Sequence, residues 1–301
     1  MTTSFDPILE KQLSEAERLA TAGVSSGRRA TRLMWLMVAL LLTITFAFPL
    51  YFMFSSSFKS NPEVMAIPVH WWPQDFQGLN QFVLAFQAAP LGRYFFNSVL
   101  MATIDVIVTV IFSTMAGYGF AKFNFRGKRL MFIFILSTIM IPFQVLVVPL
   151  FIEVRALGWD DSYQGLIVPG IMNAFGVFMM RQFAYSLPND LFDAARIDGA
   201  GEFRIFWRVV LPLLAPASAS LATIIFLFSW NNFLWPLIVV KSDAYMTLPI
   251  GLTTFAQPHT TEPQWAVVMA ISTLATLPVA ILFVFFQRYF IEGLILSGIK
   301  G

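Results

Sequence analysis

Runs of about twenty apolar residues without a charge recur along this chain, and no other feature restricts its fold as strongly. A helix needs about 20 such residues to cross the hydrocarbon core of a bilayer, where every backbone polar group must be satisfied within the segment. Residues 33–54, 130–152, 162–180 and 265–287 each run free of Asp, Glu, Lys and Arg. The longer stretch 213–240 does so too, and the span within it begins near Ala217. Residues 96–120 are equally long but carry one acid, Asp105. Charged residues make up 12% of the chain, against about 25% in soluble domains. The chain therefore reads as an all-α membrane protein with six transmembrane helices, at 33–54, 96–120, 130–152, 162–180, 217–240 and 265–287. An even number of crossings leaves both termini on one side.

Lysine and arginine mark that side, because they accumulate in cytoplasmic connections. The residues before the first span hold Lys11, Arg18, Arg28, Arg29 and Arg32. The turn after the second holds Lys122, Arg126, Lys128 and Arg129, and the connection after the fourth Arg181, Arg196, Arg204 and Arg208. Arg288 and Lys300 close the chain, while Lys59, Arg93, Arg155 and Lys241 fall on the other face. Fifteen against four places both termini in the cytoplasm. Residues 1–32 read as an uncleaved cytoplasmic head without the apolar core of a signal peptide. Within it, Leu9, Leu13 and Ala16 recur at helical spacing. Residues 33–301 form one membrane domain, with a long outer loop at 55–95 and a cytoplasmic loop at 186–212.

Several functions are excluded or disfavoured by composition. The chain has no cysteine, so neither a disulfide framework nor a thiolate metal site is available. His70 and His259 stand apart from any metal-ligand spacing, and both read as polar loop residues. A formal charge of +2 gives no sign of nucleic acid binding.

The loop at 186–212 reads as two helices with defined ends. Pro188 suits a first helical turn, where its missing N–H costs nothing. Asp190 and Asp193 lie near the positive end of the helix dipole, and Gly199 is placed to terminate the helix in the left-handed conformation. A second helix is expected from Glu202 to a stop before Pro212, with Phe203, Phe206, Trp207 and Val210 on one face and Arg204 and Arg208 on another. From pattern alone, such a pair is either a hairpin resting on lipid headgroups or a docking element for a cytoplasmic partner. Ala194 and Ala195 would give a partner a low-relief surface.

The run Asp193-Ala194-Ala195, then Asp198-Gly199-Ala200, then Leu211-Pro212 resembles the EAA loop of binding-protein-dependent ABC transporter permeases. The likeness extends over nearly the whole chain after the head. It takes in Ser57-Phe58-Lys59, Asn97-Ser98, the turn from Phe123 to Arg129, Trp230 to Leu237, Gln287 to Gly293 and the closing Gly298-Ile299-Lys300-Gly301. Together these features resemble the second permease of maltose-type carbohydrate importers. The resemblance implies the type I ABC importer permease fold, with Asp193, Ala194, Ala195, Arg196, Asp198, Gly199 and Ala200 in a coupling helix that sits in a groove of an ATPase subunit. One position departs from the family pattern: its glutamate is Asp193 here, with the charge kept and the reach one methylene shorter.

A Gly-x-x-x-x-Gly-Lys-Ser/Thr phosphate loop is missing, since Gly127-Lys128 is followed by Arg129 and lacks the earlier glycine. No cofactor is expected on this chain, ATP and magnesium belonging to partner subunits. The resemblance implies an assembly of this subunit, a second permease, two ATP-binding subunits and an external sugar-binding protein, in a bacterial inner membrane.

At membrane depth the sharpest anomaly is Asp105, about 13 Å below the outer end of its span at 1.5 Å per residue. An intramembrane acid usually faces a water-filled path or a partner, so Asp105 lines the sugar path, pairs with a polar group on a neighbouring helix, or lies close enough to the headgroups to be harmless. Trp230, Asn231 and Asn232 pose the same choice, where the fifth span is expected to break at Pro236. Ser113 and Gly117, four apart, suit close helix packing, and Pro142 and Pro149 suit kinks in the third span. Alternatives remain open from sequence: a permease for glycerol phosphate or a polyol, a secondary transporter or channel, or a membrane-embedded enzyme. The second would more often carry ionisable residues in several spans, and the third needs more than one acid.

Overall fold

The structure, a computed structural model, describes the backbone of residues 7–256 and 263–298 and the side chains of 31–256 and 263–287. The expectations for Leu9, Leu13, Ala16, His259 and the side chains from 288 onward lie outside the described residues. Among the described residues all regular structure is helical, as the apolar runs dictate. Four helices are long and apolar enough to cross a membrane, or up to six if each of two bent pairs is one span.

Contacts divide the chain into two units, Met1–Ser55 and Ser56–Gly301. The first is carried by one helix, α1 (Pro7–Ser56), which passes residue 32 without interruption. Its Thr31–Ser56 stretch is long enough to span. There the hydroxyls of Thr43 and Thr45 donate to Ala39 and Leu41 carbonyls one turn back, both at 2.8 Å, so neither presents an unmet polar group to lipid.

The second unit begins with α2 (Asn61–Val64) and α3 (Asn80–Ala88), then the central helix α4 (Leu91–Lys122). Next come α5 (Lys128–Ile139), α6 (Phe143–Ala156), α7 (Tyr163–Ile167) with a 3-10 turn at Val168–Gly170, and α8 (Ala174–Ser186). The loop helices α9 (Asp190–Ile197), α10 (Glu202–Ile205) and α11 (Leu211–Leu213) follow, with a π turn at Phe206–Val210. The last are α12 (Ala215–Trp230), α13 (Leu234–Val239), α14 (Leu248–Ala256) and α15 (Trp265–Gly298). Helix α4 packs on α8 and α12, and α12 packs in turn on α15. Missing side-chain bulk sets the closest crossing. A Cβ added to Gly117 of α4 would stand 2.6 Å from the Arg181 backbone nitrogen, and one added to Gly176 would stand 2.4 Å from Ser113 Oγ. Ser113 and Gly117 thus occupy the close-packing seam that their spacing suggests.

The kink expected at Pro142 is present, while two other prolines depart from the sequence reading. The third span is broken by 98° between α5 and α6, with Pro142 at the N-cap of the second piece and Pro149 inside it. The fifth breaks at Asn231–Phe233, before Pro236 rather than at it. Pro236 sits in the first turn of α13, where no N–H is required of it. In the loop at 186–212 the second helix does not stop before Pro212. The π turn at Phe206–Val210 widens the chain just upstream, and helical structure carries through Leu211–Leu213. A proline ring normally collides with the carbonyl four residues back, and a local π turn relieves that collision by shifting the carbonyls. The fourth span is also bent, by 43°. Its second half runs to Ser186, so Arg181 lies inside helix α8 instead of bounding it.

Candidate coupling hairpin and membrane-depth polar sites

Local chemistry builds the hairpin from its ends inward. Helix α9 closes with the N–H of Gly199 bonded to the Arg196 carbonyl and that of Ala200 to the Ala195 carbonyl, both at 3.0 Å. This is the Schellman arrangement, and it requires a left-handed residue, supplied by Gly199 at φ +80°. Arg196 then braces the two helices: its Nη1 donates to Asp193 Oδ1 and its Nε to Glu202 Oε1, both at 2.8 Å. Hydrogen bonding to Glu202 raises the Arg196 pKa further, burial opposes it less strongly, and the Asp193 bond adds a smaller rise.

Lys122, at the end of α4, anchors the hairpin's entry. Its Nζ donates to the Leu187 carbonyl at 2.6 Å and to Asn189 Oδ1 at 2.9 Å. Phe192 is buried against Tyr118 of α4, whose hydroxyl in turn bonds Glu202 Oε2 at 3.3 Å. Ile205, Phe206 and Val210 complete that core, while Phe203 and Trp207 stay exposed. The π turn changes the helical register, and this splits the expected apolar face. What the hairpin leaves outward is Leu191, Ala194, Ile197 (86% exposed), Asp198, Gly199 and Phe203. Ala195 is half-buried and packs inward. A Cβ at Gly199 would meet nothing within 4 Å.

The membrane-depth candidates are not gathered in one place. Asp105 is buried on α4, and its Oδ2 accepts a 2.6 Å bond from Ser229 Oγ of α12, while Oδ1 has no partner among the described residues. Trp230 is buried as well, donating from Nε1 to the Ala275 carbonyl of α15 at 3.1 Å and stacking on Phe226. Asn231 is exposed and turns back to the Leu227 carbonyl at 2.8 Å, capping its own helix. Trp230 and Asn231 line a recess of about 350 Å³ with Leu252, Ser272 and Thr276, which Asp105 and Asn232 do not reach. A second recess, about 500 Å³, lies between α4, α5 and α8 and presents Thr109, Ser113, Thr138 and Asn173.

Two residues gain roles that the sequence did not assign. Asn97, fully buried, donates from Nδ2 to the Ala244 and Met246 carbonyls at 3.0 and 2.8 Å, and accepts from the Tyr163 hydroxyl at 2.8 Å. It ties the loop before α14 to the second span. In sequence Asn97 stood out only as part of the resemblance carried by Asn97-Ser98. Lys122 was counted only for its charge.

Apolar helices of spanning length, a buried intramembrane acid and a braced amphipathic hairpin define a multi-pass membrane protein. The chain belongs to the family of binding-protein-dependent transport system inner membrane components, whose pattern it matches over residues 109–295. It is a permease of the ATP-binding-cassette importer class, as the resemblance around Gly199 implied. It is 41% identical to the arabinooligosaccharides transport system permease protein AraQ of Halalkalibacterium halodurans, over 87% of this chain and 96% of that one. The sn-glycerol-3-phosphate transport system permease protein UgpE of Yersinia enterocolitica is 33% identical, over 82% and 90% respectively. In fold, the chain superposes with a TM-score of 0.77 on the crystal structure of a bacterial ABC transporter involved in the import of the acidic polysaccharide alginate, at 24% identity, covering 87% of this chain and 98% of that one. The type I importer permease fold is therefore the fold of this chain.

Proposed function

We propose that this chain forms half of the translocation pathway for an oligosaccharide and couples it to ATP hydrolysis performed by separate subunits. The observation that carries the coupling role is the outward face of α9. A hairpin fixed on its inner side by Phe192, Lys122 and Arg196 offers Leu191, Ala194 and Ile197 to solvent, beside a glycine whose Cβ direction is open. Residues Asp193 to Ala200 would seat in the ATPase groove, so that closure of two ATP-bound ATPase subunits draws this hairpin toward that of a second permease. Both termini face the cytoplasm in this arrangement, and an external binding protein delivers the sugar. Kinship with an arabinooligosaccharide permease supports the substrate class.

Replacing Gly199 by Leu tests the assignment. A Cβ at this position meets nothing within 4 Å among the described residues, so the effects fall chiefly on backbone strain at φ +80° and on whatever docks there. The expected result is a permease that inserts normally but fails to retain or stimulate its ATPase. Normal ATPase retention and normal transport would overturn the coupling role.

Kinship with UgpE raises glycerol phosphate as a second substrate reading. A phosphate in transit needs cations, and neither membrane-depth recess is lined by Lys or Arg. The lining of Thr109, Ser113, Thr138, Asn173, Ser272 and Thr276 suits neutral hydroxyls instead. A ligand screen against the binding protein that serves this permease separates the two.

A further inference from the structure

The charge bias that orients the chain also leaves a concentration of uncompensated cations at one place. Between Lys122 and Arg129 the chain carries four basic residues and no acid. Lys122 is occupied by the hairpin. Two of the others, Lys128 and Arg129, line a recess of about 840 Å³ where the turn at Gly127 meets α8, together with Arg181 and with no carboxylate. None of Arg126, Lys128, Arg129 and Arg181 makes an ion pair among the described residues.

Arg181 is held there by neutral groups only. Its guanidinium lies 3.7 Å from the Phe132 ring centroid, and Nη2 donates to the Tyr185 hydroxyl at 2.7 Å. Lys128 Nζ donates to the Phe123 carbonyl at 2.8 Å and keeps its charge unpaired. Helix α5 begins at this spot with no side-chain cap and no acid in its first turn, so the positive end of its dipole adds to the same field. Gly127, at φ +83°, makes the turn that brings that end to the recess. Cations partly withdrawn from water against aromatic rings, with no counter-charge, favour an anion.

The rest of the lining says which anion. Leu130 and Ile133 lie directly beyond the cations, 73% and 51% exposed, on the flank that leads along α5 into the apolar span. A basic mouth above an apolar flank matches the two ends of a lipid. We propose that this recess binds the phosphate headgroup of an anionic phospholipid of the inner leaflet, with Lys128, Arg129 and Arg181 on the phosphate and the acyl chains along Leu130 and Ile133. The proposal uses the cytoplasmic placement of this turn but not the coupling role of α9. Its failure is therefore separable from failure of that role.

Native mass spectrometry of the full-length chain, purified with whatever subunits accompany it and titrated with phosphatidylglycerol or phosphatidylcholine, tests the site. Phosphatidylglycerol should be retained at least tenfold better, and each cation removed should cost about fivefold, as expected for a basic residue near an anionic surface. Arg129→Gln alone, an exposed side chain, should show one such step, and Lys128→Gln with Arg129→Gln and Arg181→Gln should abolish retention. Arg204→Gln with Arg208→Gln, a loss of two charges elsewhere on the chain, should change nothing. Equal retention of the two lipids would overturn the proposal, as would a triple variant that holds phosphatidylglycerol like the parent. Displacement of the lipid by millimolar inorganic phosphate would reassign the recess to a free anion. Should the triple variant fail to fold, the Arg129→Gln step decides.

Discussion

Asp105 and Gly117 lie on the same helix, twelve residues apart, and each is explained by what α4 touches. Asp105 bonds Ser229 across to α12, which is the helix-pairing alternative that a lone intramembrane acid leaves open. Asp105→Asn keeps an oxygen for the Ser229 hydroxyl, and purified complex yield and transport rate should stay within about twofold, the effect of a small change in one hydrogen bond. Asp105→Leu removes the acceptor and should lower the melting temperature clearly. A transport defect in the Asn variant with normal assembly would instead return Asp105 to the sugar path. Gly117 is the stricter position, because its neighbours are backbone atoms of Met180 and Arg181 that cannot swing aside. Gly117→Leu should destabilise the α4–α8 crossing by about 2–3 kcal/mol, in the range of overpacked cores, seen as lost thermal stability in detergent. Glycine at this seam was legible from its spacing to Ser113. Its opposite number, Gly176, was not, since nothing in a one-dimensional pattern says which glycine of another span will face it.

At the scale of elements, the hairpin at 186–212 is the part most fully written in local sequence. Gly199 closes α9 where its place indicates, whereas Pro188 stands before the N-cap Asn189 and not in the first turn. The second helix was harder to read, because a π turn shifts the periodicity in its middle and helical structure then continues through Pro212. The brace was also hidden: Arg196 to Glu202 crosses the loop between two helices, where i, i+4 reasoning does not apply. Arg196→Ala removes both of its carboxylate contacts from a largely solvent-facing site, so folding should be little changed. ATP-dependent transport should fall at least about fivefold, the lower end of coupling effects between sites. Unchanged transport in that variant would mean that the hairpin does not depend on its brace.

Over the whole molecule, the segment after α1 is tied by a second polar cluster. Lys59 is buried and donates to the His70 carbonyl at 2.5 Å, Gln81 donates to the Lys59 carbonyl at 2.9 Å, and the two oxygens of Glu63 accept from the backbone N–H groups of Gln74 and Asp75 at 2.7 and 3.1 Å. Burial by itself would raise the Glu63 pKa. The Gln74 and Asp75 N–H groups, with the nearby Lys59 charge, outweigh it and hold the carboxyl below the usual range. A depressed carboxylate contributes stability at neutral pH that is lost as pH falls through its folded pKa. Proteolysis of the 57–90 segment should therefore accelerate on acidification below the ordinary glutamate range, and Glu63→Gln should remove that dependence. Acid-independent cleavage of the parent would refute the role. Because the chain has no cysteine, single cysteines test its orientation directly: one at Gln74 should react with an impermeant thiol reagent from outside, and one at Arg126 only after permeabilisation.

Membrane residence, the approximate spans and the charge bias belong to the sequence alone, because hydropathy and positive charge act residue by residue and need no partner. The close of α9 at Gly199 belongs there too, since a cap is satisfied by neighbours a few positions away. Only the tertiary structure decided that Asp105 meets Ser229, that Asn97 holds the loop before α14, that Pro142 accompanies a sharp break and that Arg181 faces Phe132. Each of these joins residues far apart along the chain or depends on the path of the backbone. A hydrogen bond or a ring contact is a matter of a few ångströms in space, and linear order alone carries no such distance.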